Sequence, residues 1–129
     1  ANSANPTEGV TDRLALSAEF EAFECKVAPA RLDGMPQSLI VRDRVSKRRF
    51  AVKLKRDGSG ALKFVSVTET GRGLYRVTQV AIEEQSMAVN TLVGPGPRSV
   101  FLNGPDALRT KEAVFAQQMA RFVAGGCSA

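Results

Sequence analysis

Between Ser38 and Asn103 apolar residues return in short, evenly spaced runs, each cut off by a cluster of turn formers. The runs are Leu39–Val45, Arg49–Lys55, Ala61–Thr68, Leu74–Ile82, Met87–Val93 and Ser99–Asn103. Between them stand Ser46-Lys47, Asp57-Gly58-Ser59-Gly60, Gly71-Arg72-Gly73, Glu83-Glu84-Gln85 and Gly94-Pro95-Gly96-Pro97. Such spacers are too short for crossover helices, so the pattern predicts a meander of antiparallel hairpins.

Side-chain alternation then predicts which residues share a face. With Ser46-Lys47 as the loop, Val45 faces Arg48, Val41 faces Val52, Leu39 faces Leu54 and Arg44 faces Arg49. With Asp57–Ser59 as the next loop and Gly60 at its closing bulge, Leu54 faces Leu62 and Val52 faces Phe64. The two assumptions together gather Leu39, Val41, Phe50, Val52, Leu54, Leu62 and Phe64 on one surface, as a core face requires. Val65 and Val67 fall on the other face in this register. Either a bulge turns them inward or something covers them.

The segment Arg13–Val27 supports two readings. Leu14, Leu16, Ala18 and Phe20 alternate with polar residues at strand period, and the phase slips to Phe23 and Cys25 as at a bulge. Its Ala, Leu and Glu content, with Thr11 or Asp12 as a cap, also fits a helix. The alternation favours strand. At the other end, Asn103-Gly104-Pro105-Asp106 reads as a helix start, with a capping residue, an early Pro and an acid at the positive dipole end. Leu108, Phe115, Met119, Phe122 and Val123 form an apolar stripe, and Gly125-Gly126 offers a left-handed stop. The expected fold is α+β: an antiparallel meander of six or seven strands packed against a C-terminal helix. Residues 1–10 read as a flexible leader and 11–129 as a single domain. The start at Ala1 fits either a processed signal-peptide site or a trimmed boundary.

Composition agrees with a folded domain, at 129 residues with 43% hydrophobic and 24% charged. No apolar run approaches the roughly 20 residues of a membrane-spanning helix. The two cysteines, Cys25 and Cys127, lie near opposite ends of the chain. An even count at those positions predicts a disulfide, and with it a periplasmic or extracellular setting.

Catalytic chemistry has little to draw on. The chain has no His, which removes the usual general acid–base and the triads built on it. Neither glycine cluster has phosphate-loop spacing, two cysteines do not complete a zinc site, and no residue set calls for a cofactor. Paired carboxylates are available only as Glu83-Glu84 in a turn and Glu19, Glu21 and Glu24 on one early segment. The expectation is a protein without enzymatic activity, metal or cofactor.

Charge is more informative. The formal net charge is +5, and Arg42 to Arg56 holds much of the excess. The predicted register sends Arg42, Arg44, Arg49, Lys53 and Lys63 out from the face opposite the core. Like charges paired across strands destabilise a hairpin by some tenths of a kcal/mol, so such a cluster reads as a site for an acidic protein partner. A solvated, aggregation-resistant face is the plain alternative. Anionic lipid would also suit the cations. Nucleic acid is disfavoured, because this register puts Phe50 and Phe64 on the core side and Tyr75 is the only tyrosine, which leaves the cations without aromatic neighbours to stack bases. The sequence therefore points to a secreted or periplasmic-type binding or accessory module that engages an acidic partner through a basic sheet face. The alternative is a carrier of an apolar small molecule or lipid, held by Leu108, Phe115, Met119 and Phe122 between sheet and helix.

Overall fold

A computed structural model of the chain describes residues 17–27, 38–71, 73–93 and 96–127. The leader read at 1–10 and the start of the segment at Arg13 lie outside these residues. Among the described residues, seven strands follow one another as an antiparallel meander: β1 Phe23–Val27, β2 Leu39–Asp43, β3 Arg49–Arg56, β4 Leu62–Gly71, β5 Leu74–Ala81, β6 Ser86–Val93 and β7 Gly96–Asn103. One helix, α1 (Lys111–Ala124), packs mainly across β3, β4 and β5. The α+β architecture expected from the sequence is the one observed.

Alternation along each strand builds the core. Phe23, Val41, Phe50, Val52, Val65, Val67, Val80, Met87 and Val89 point to the helix side and are buried. From above they meet Ala113, Ala116, Met119, Ala120, Phe122 and Val123 of α1. The alanines let the helix backbone settle close to the sheet, and Met119 fills the gap they leave. Phe20 stacks on Phe122 at 5.0 Å between ring centroids and meets Phe23 edge-on at 4.9 Å. Each such pair adds about 0.5–1.5 kcal/mol beyond the area it buries.

Two registers differ from expectation, with opposite consequences. The β2–β3 loop is Arg44–Lys47, closed by Asp43 N–H donating to the Arg48 carbonyl at 2.9 Å. Val41 therefore faces Phe50, and Leu39 faces Val52. That slip is by two residues, so every side chain keeps its face. The turn is held by the buried Asp43 carboxylate, which accepts from Val45 N–H at 2.9 Å and Ser46 Oγ at 2.7 Å. On the far side of β3 the ladder slips by an odd number. Arg56 faces Leu62 but Lys55 faces Phe64, so β4 carries an extra residue at Lys63. This bulge turns Val65 and Val67 inward and Phe64 outward. Phe64 on the core face was thus a wrong expectation, whereas Leu62 still packs against the core edge.

The ends also differ in detail. Ser17–Ala22 is a 3-10 turn rather than a strand, and the strand begins only at Phe23. Asn103 ends β7 instead of capping a helix. A second 3-10 turn, Pro105–Arg109, intervenes, and Thr110 is the true cap, its Oγ accepting from Ala113 N–H at 3.2 Å. At the C-terminal end Gly126 takes φ +81°, Gly126 N–H reaches the Val123 carbonyl and Cys127 N–H the Phe122 carbonyl. This is a Schellman closure, and it delivers Cys127 to Cys25 of β1, with a disulfide between them at a Cα separation of 6.1 Å. The bridge closes a sequence separation of 102 residues, a constraint on the unfolded chain worth roughly 2–5 kcal/mol. Replacing both cysteines with serine is expected to lower unfolding free energy by about that amount, measured by urea titration, with the far-ultraviolet spectrum unchanged.

Candidate functional site: the open sheet face

Because α1 lies on one side, β1–β7 present a second face on which none of the described side chains is buried. Its character changes along the sheet. At the β1–β3 end stand Glu24, Lys26, Arg42, Arg49, Lys53 and Lys55. In the middle stand Ala51, Ser66, Thr68, Val77, Gln79 and Ala88. Tyr75, Leu92 and Phe101 are exposed toward the β7 end.

Of the five cations expected on this face, Arg42, Arg49 and Lys53 belong to it. Arg42 and Arg49 are directly opposed across β2 and β3, where the expected register set Arg44 against Arg49. Glu24, paired with Arg42 from β1, relieves the repulsion. Its carboxylate accepts from Arg42 Nη1 and from Arg44 Nε, both at 3.3 Å. Those two hydrogen bonds, Arg42 first, hold the Glu24 carboxyl below its ordinary range. The alternation of β1, with Phe23 and Cys25 inward, was the signal that puts Glu24 beside the arginines.

Arg44 and Lys63 are corrections. The longer loop places Arg44 in the turn, where it reaches the face only through Glu24. Lys63 occupies the bulge and bridges Asp57 and Glu83, at 3.5 Å to each. Arg49 and Lys53 are left exposed and without an ion pair among the described residues.

A polar group that the sequence reading missed lies on the helix side. Glu69, its side chain 9% exposed, accepts from Arg48 Nε at 2.6 Å and Nη2 at 2.7 Å, and the Arg48 guanidinium lies 5.2 Å from the Phe50 ring centroid. Arg76 pairs with Glu69 across β4 and β5, and its Nε is buried without a hydrogen-bond partner among the described residues. The cavity they border, closed by Phe115 and Glu112, is only about 50 Å³. An arrangement of this kind fixes register: removing one side strands a charge in an apolar layer. The space between helix and sheet, where the apolar-carrier alternative placed its ligand, is filled by Met119 and the phenylalanines. Among the described residues no cluster of metal-ligating side chains occurs, and no helix is long and apolar enough to cross a membrane. The chain matches no family model, no curated protein and no solved structure.

Two outcomes test these assignments. Glu69→Ala is expected to destabilise the fold by about 3–5 kcal/mol, whereas replacing Arg48 and Glu69 together with apolar residues recovers most of that loss; denaturant titration of the cycle decides it. Asp57 accepts from Ser59 Oγ and from Ala61 and Ser59 N–H, which hold its carboxyl at about 2. Because its folded value lies below the ordinary one, the turn's stabilisation is complete above about 4 and is lost as the pH falls through about 2. Carboxyl titration by NMR reads that midpoint directly, and Ser59→Ala is expected to raise it.

Proposed function

We propose that this protein is a non-catalytic binding module that holds an acidic protein partner against the β1–β3 end of its open sheet face. The single observation that carries the reading is Arg49 and Lys53: exposed, on one face, beside Arg42 and without an acid to neutralise them among the described residues. Rigid strands set the backbone spacing of these cations, so the ordering that docking requires is confined to their side chains. The disulfide between Cys25 and Cys127 supports residence in an oxidising compartment, periplasmic or extracellular.

Glu24 gives the site an internal competitor. It holds Arg42 and Arg44 as a partner's carboxylate would, so a docking acid must displace it or settle for Arg49 and Lys53. The two classes of residue therefore have opposite effects on binding. With poly-L-glutamate as probe and calorimetry as readout, Arg49→Glu with Lys53→Glu is expected to weaken binding on the order of tenfold. Glu24→Gln is expected to strengthen it several-fold. Both effects should shrink as salt is raised, since exposed charges are screened within about 10 Å at 0.1 M. Equal affinity across the three proteins would remove the reading.

A further inference from the structure

The last strand of the sheet is an edge with unusual chemistry. In β7 three consecutive apolar residues are exposed, Val100 at 52%, Phe101 at 66% and Leu102 at 39%. Natural edge strands are protected by charge, proline, bulges or covering elements. Here Pro97 and Arg98 guard only the beginning of the strand, and among the described residues Val100 to Leu102 carry no such device.

The backbone polarity of that edge follows from its ladder. Gly104 N–H donates to the Gln85 carbonyl at 2.7 Å, continuing the β6–β7 register in which Asn103 faces Ser86. Antiparallel ladders alternate inward and outward residues, so Arg98, Val100 and Leu102 bond to β6. Ser99, Phe101 and Asn103 turn their N–H and C=O groups to the free side. Pro97 falls among the outward residues, so its missing donor costs the sheet nothing.

We infer that β7 pairs antiparallel with β7 of a second copy of this chain, about a two-fold axis perpendicular to the sheet at Phe101. The register is set by self-complementarity. Phe101 faces the partner's Phe101, and Ser99 faces the partner's Asn103, so every outward donor and acceptor from Ser99 to Asn103 is matched and Pro97 stays outside the ladder. On the helix side Val100 meets the partner's Leu102 in a non-hydrogen-bonded pair, where side chains approach most closely. The groove beside them, about 300 Å³ with an apolar floor of Met87, Val89, Val100 and Leu102, continues across the axis into its symmetry mate. Arg98 comes opposite the partner's Gly104, close to the partner's Asp106, whose carboxylate Arg109 of its own chain already holds at 2.9 Å, so a charge contact at each end shares that carboxylate. A slip of one residue in the axis, to Val100, would instead set Pro97 against the partner's Asn103 and Arg98 against the partner's Leu102. That register loses hydrogen bonds and buries a guanidinium against an aliphatic side chain.

Sedimentation of the full chain at high micromolar concentration is expected to show twice the 13.8 kDa monomer mass. Ser99→Pro removes an outward donor, and with it the exposed Ser99 Oγ hydrogen bond to Asn90, while leaving the backbone ladder to β6 in place, and Phe101→Arg puts like charges on the axis. Each is expected to weaken dimerisation at least tenfold, with the melting temperature of the dilute protein close to that of the wild type. Phe101→Cys is expected to give a reducible covalent dimer under mild oxidation, because hydrogen-bonded pairs hold Cα atoms about 5.5 Å apart. Cross-linking at Val100→Cys instead overturns the register. A monomer at every concentration, or a dimer indifferent to both Ser99→Pro and Phe101→Arg, overturns the inference, and neither outcome bears on the acidic-partner site.

Discussion

One helix must cover a sheet that is too wide for it, and most of the molecule's surface chemistry follows from that mismatch. Seven strands span six spacings, roughly 29 Å at about 4.8 Å each, while a helix with its side chains is about 10–12 Å across. The position of α1 is therefore a choice, and three contacts fix it. The Cys25–Cys127 bridge ties its C-terminal end toward β1. The phenylalanine cluster of Phe20, Phe23, Phe50, Phe115 and Phe122 fills the space beneath. Ala107 of the second 3-10 turn, fully buried, anchors the approach from β7. With α1 held over β3–β5, the opposite face and the β7 edge are exposed as a direct consequence.

The arrangement also explains why the two polar features of the sheet differ in kind. Arg48 and Glu69 lie where the helix excludes water, so each guanidinium and carboxylate atom needs a partner of defined geometry, and the bidentate pair supplies it. Glu24, Arg42 and Arg44 lie on the wet face, where the same charges form longer, looser contacts of 3.3 Å. The first group is largely withdrawn from solvent, with the Glu69 side chain 9% and the Arg48 side chain 24% exposed, and its two charges are taken up by each other. The second can exchange one carboxylate for another at modest cost.

How much of this was legible in the sequence depended on parity. The order of the strands, the turns at Asp57–Gly60 and Gly73, and the helix stop at Gly125-Gly126 follow from glycine placement and apolar spacing. The loop error at Ser46-Lys47 was harmless because Asp43, a buried side-chain acceptor that no composition reveals, lengthened the turn by an even step. The error after Asp57 was not harmless, since the extra residue at Lys63 reversed the faces of Phe64, Val65 and Val67. The misfit of two outward valines was its visible trace. The same two irregularities decided the candidate site: Arg44 dropped out at the turn and Lys63 at the bulge, and Arg42, Arg49 and Lys53 stayed where the strands run straight. Glu69 escaped notice because the run read from apolar spacing stops at Thr68, whereas the strand continues through Glu69 to Gly71.

The basic end of the face and the β7 edge lie at opposite sides of one sheet, and pairing through β7 would relate them. In the paired sheet the two β3 strands are nine spacings apart, on the order of 43 Å before twist. Each Arg49–Lys53 cluster would then sit far from the axis, and both would lie on the same side, because a two-fold perpendicular to the sheet keeps the helices together on the other. A single acidic segment does not bridge such a distance, so one partner molecule gains avidity only if it carries two acidic regions with matching separation. Weak exposed charge pairs, each worth little alone, acquire selectivity in that way: the spacing discriminates between partners that the local chemistry of arginine and carboxylate cannot tell apart.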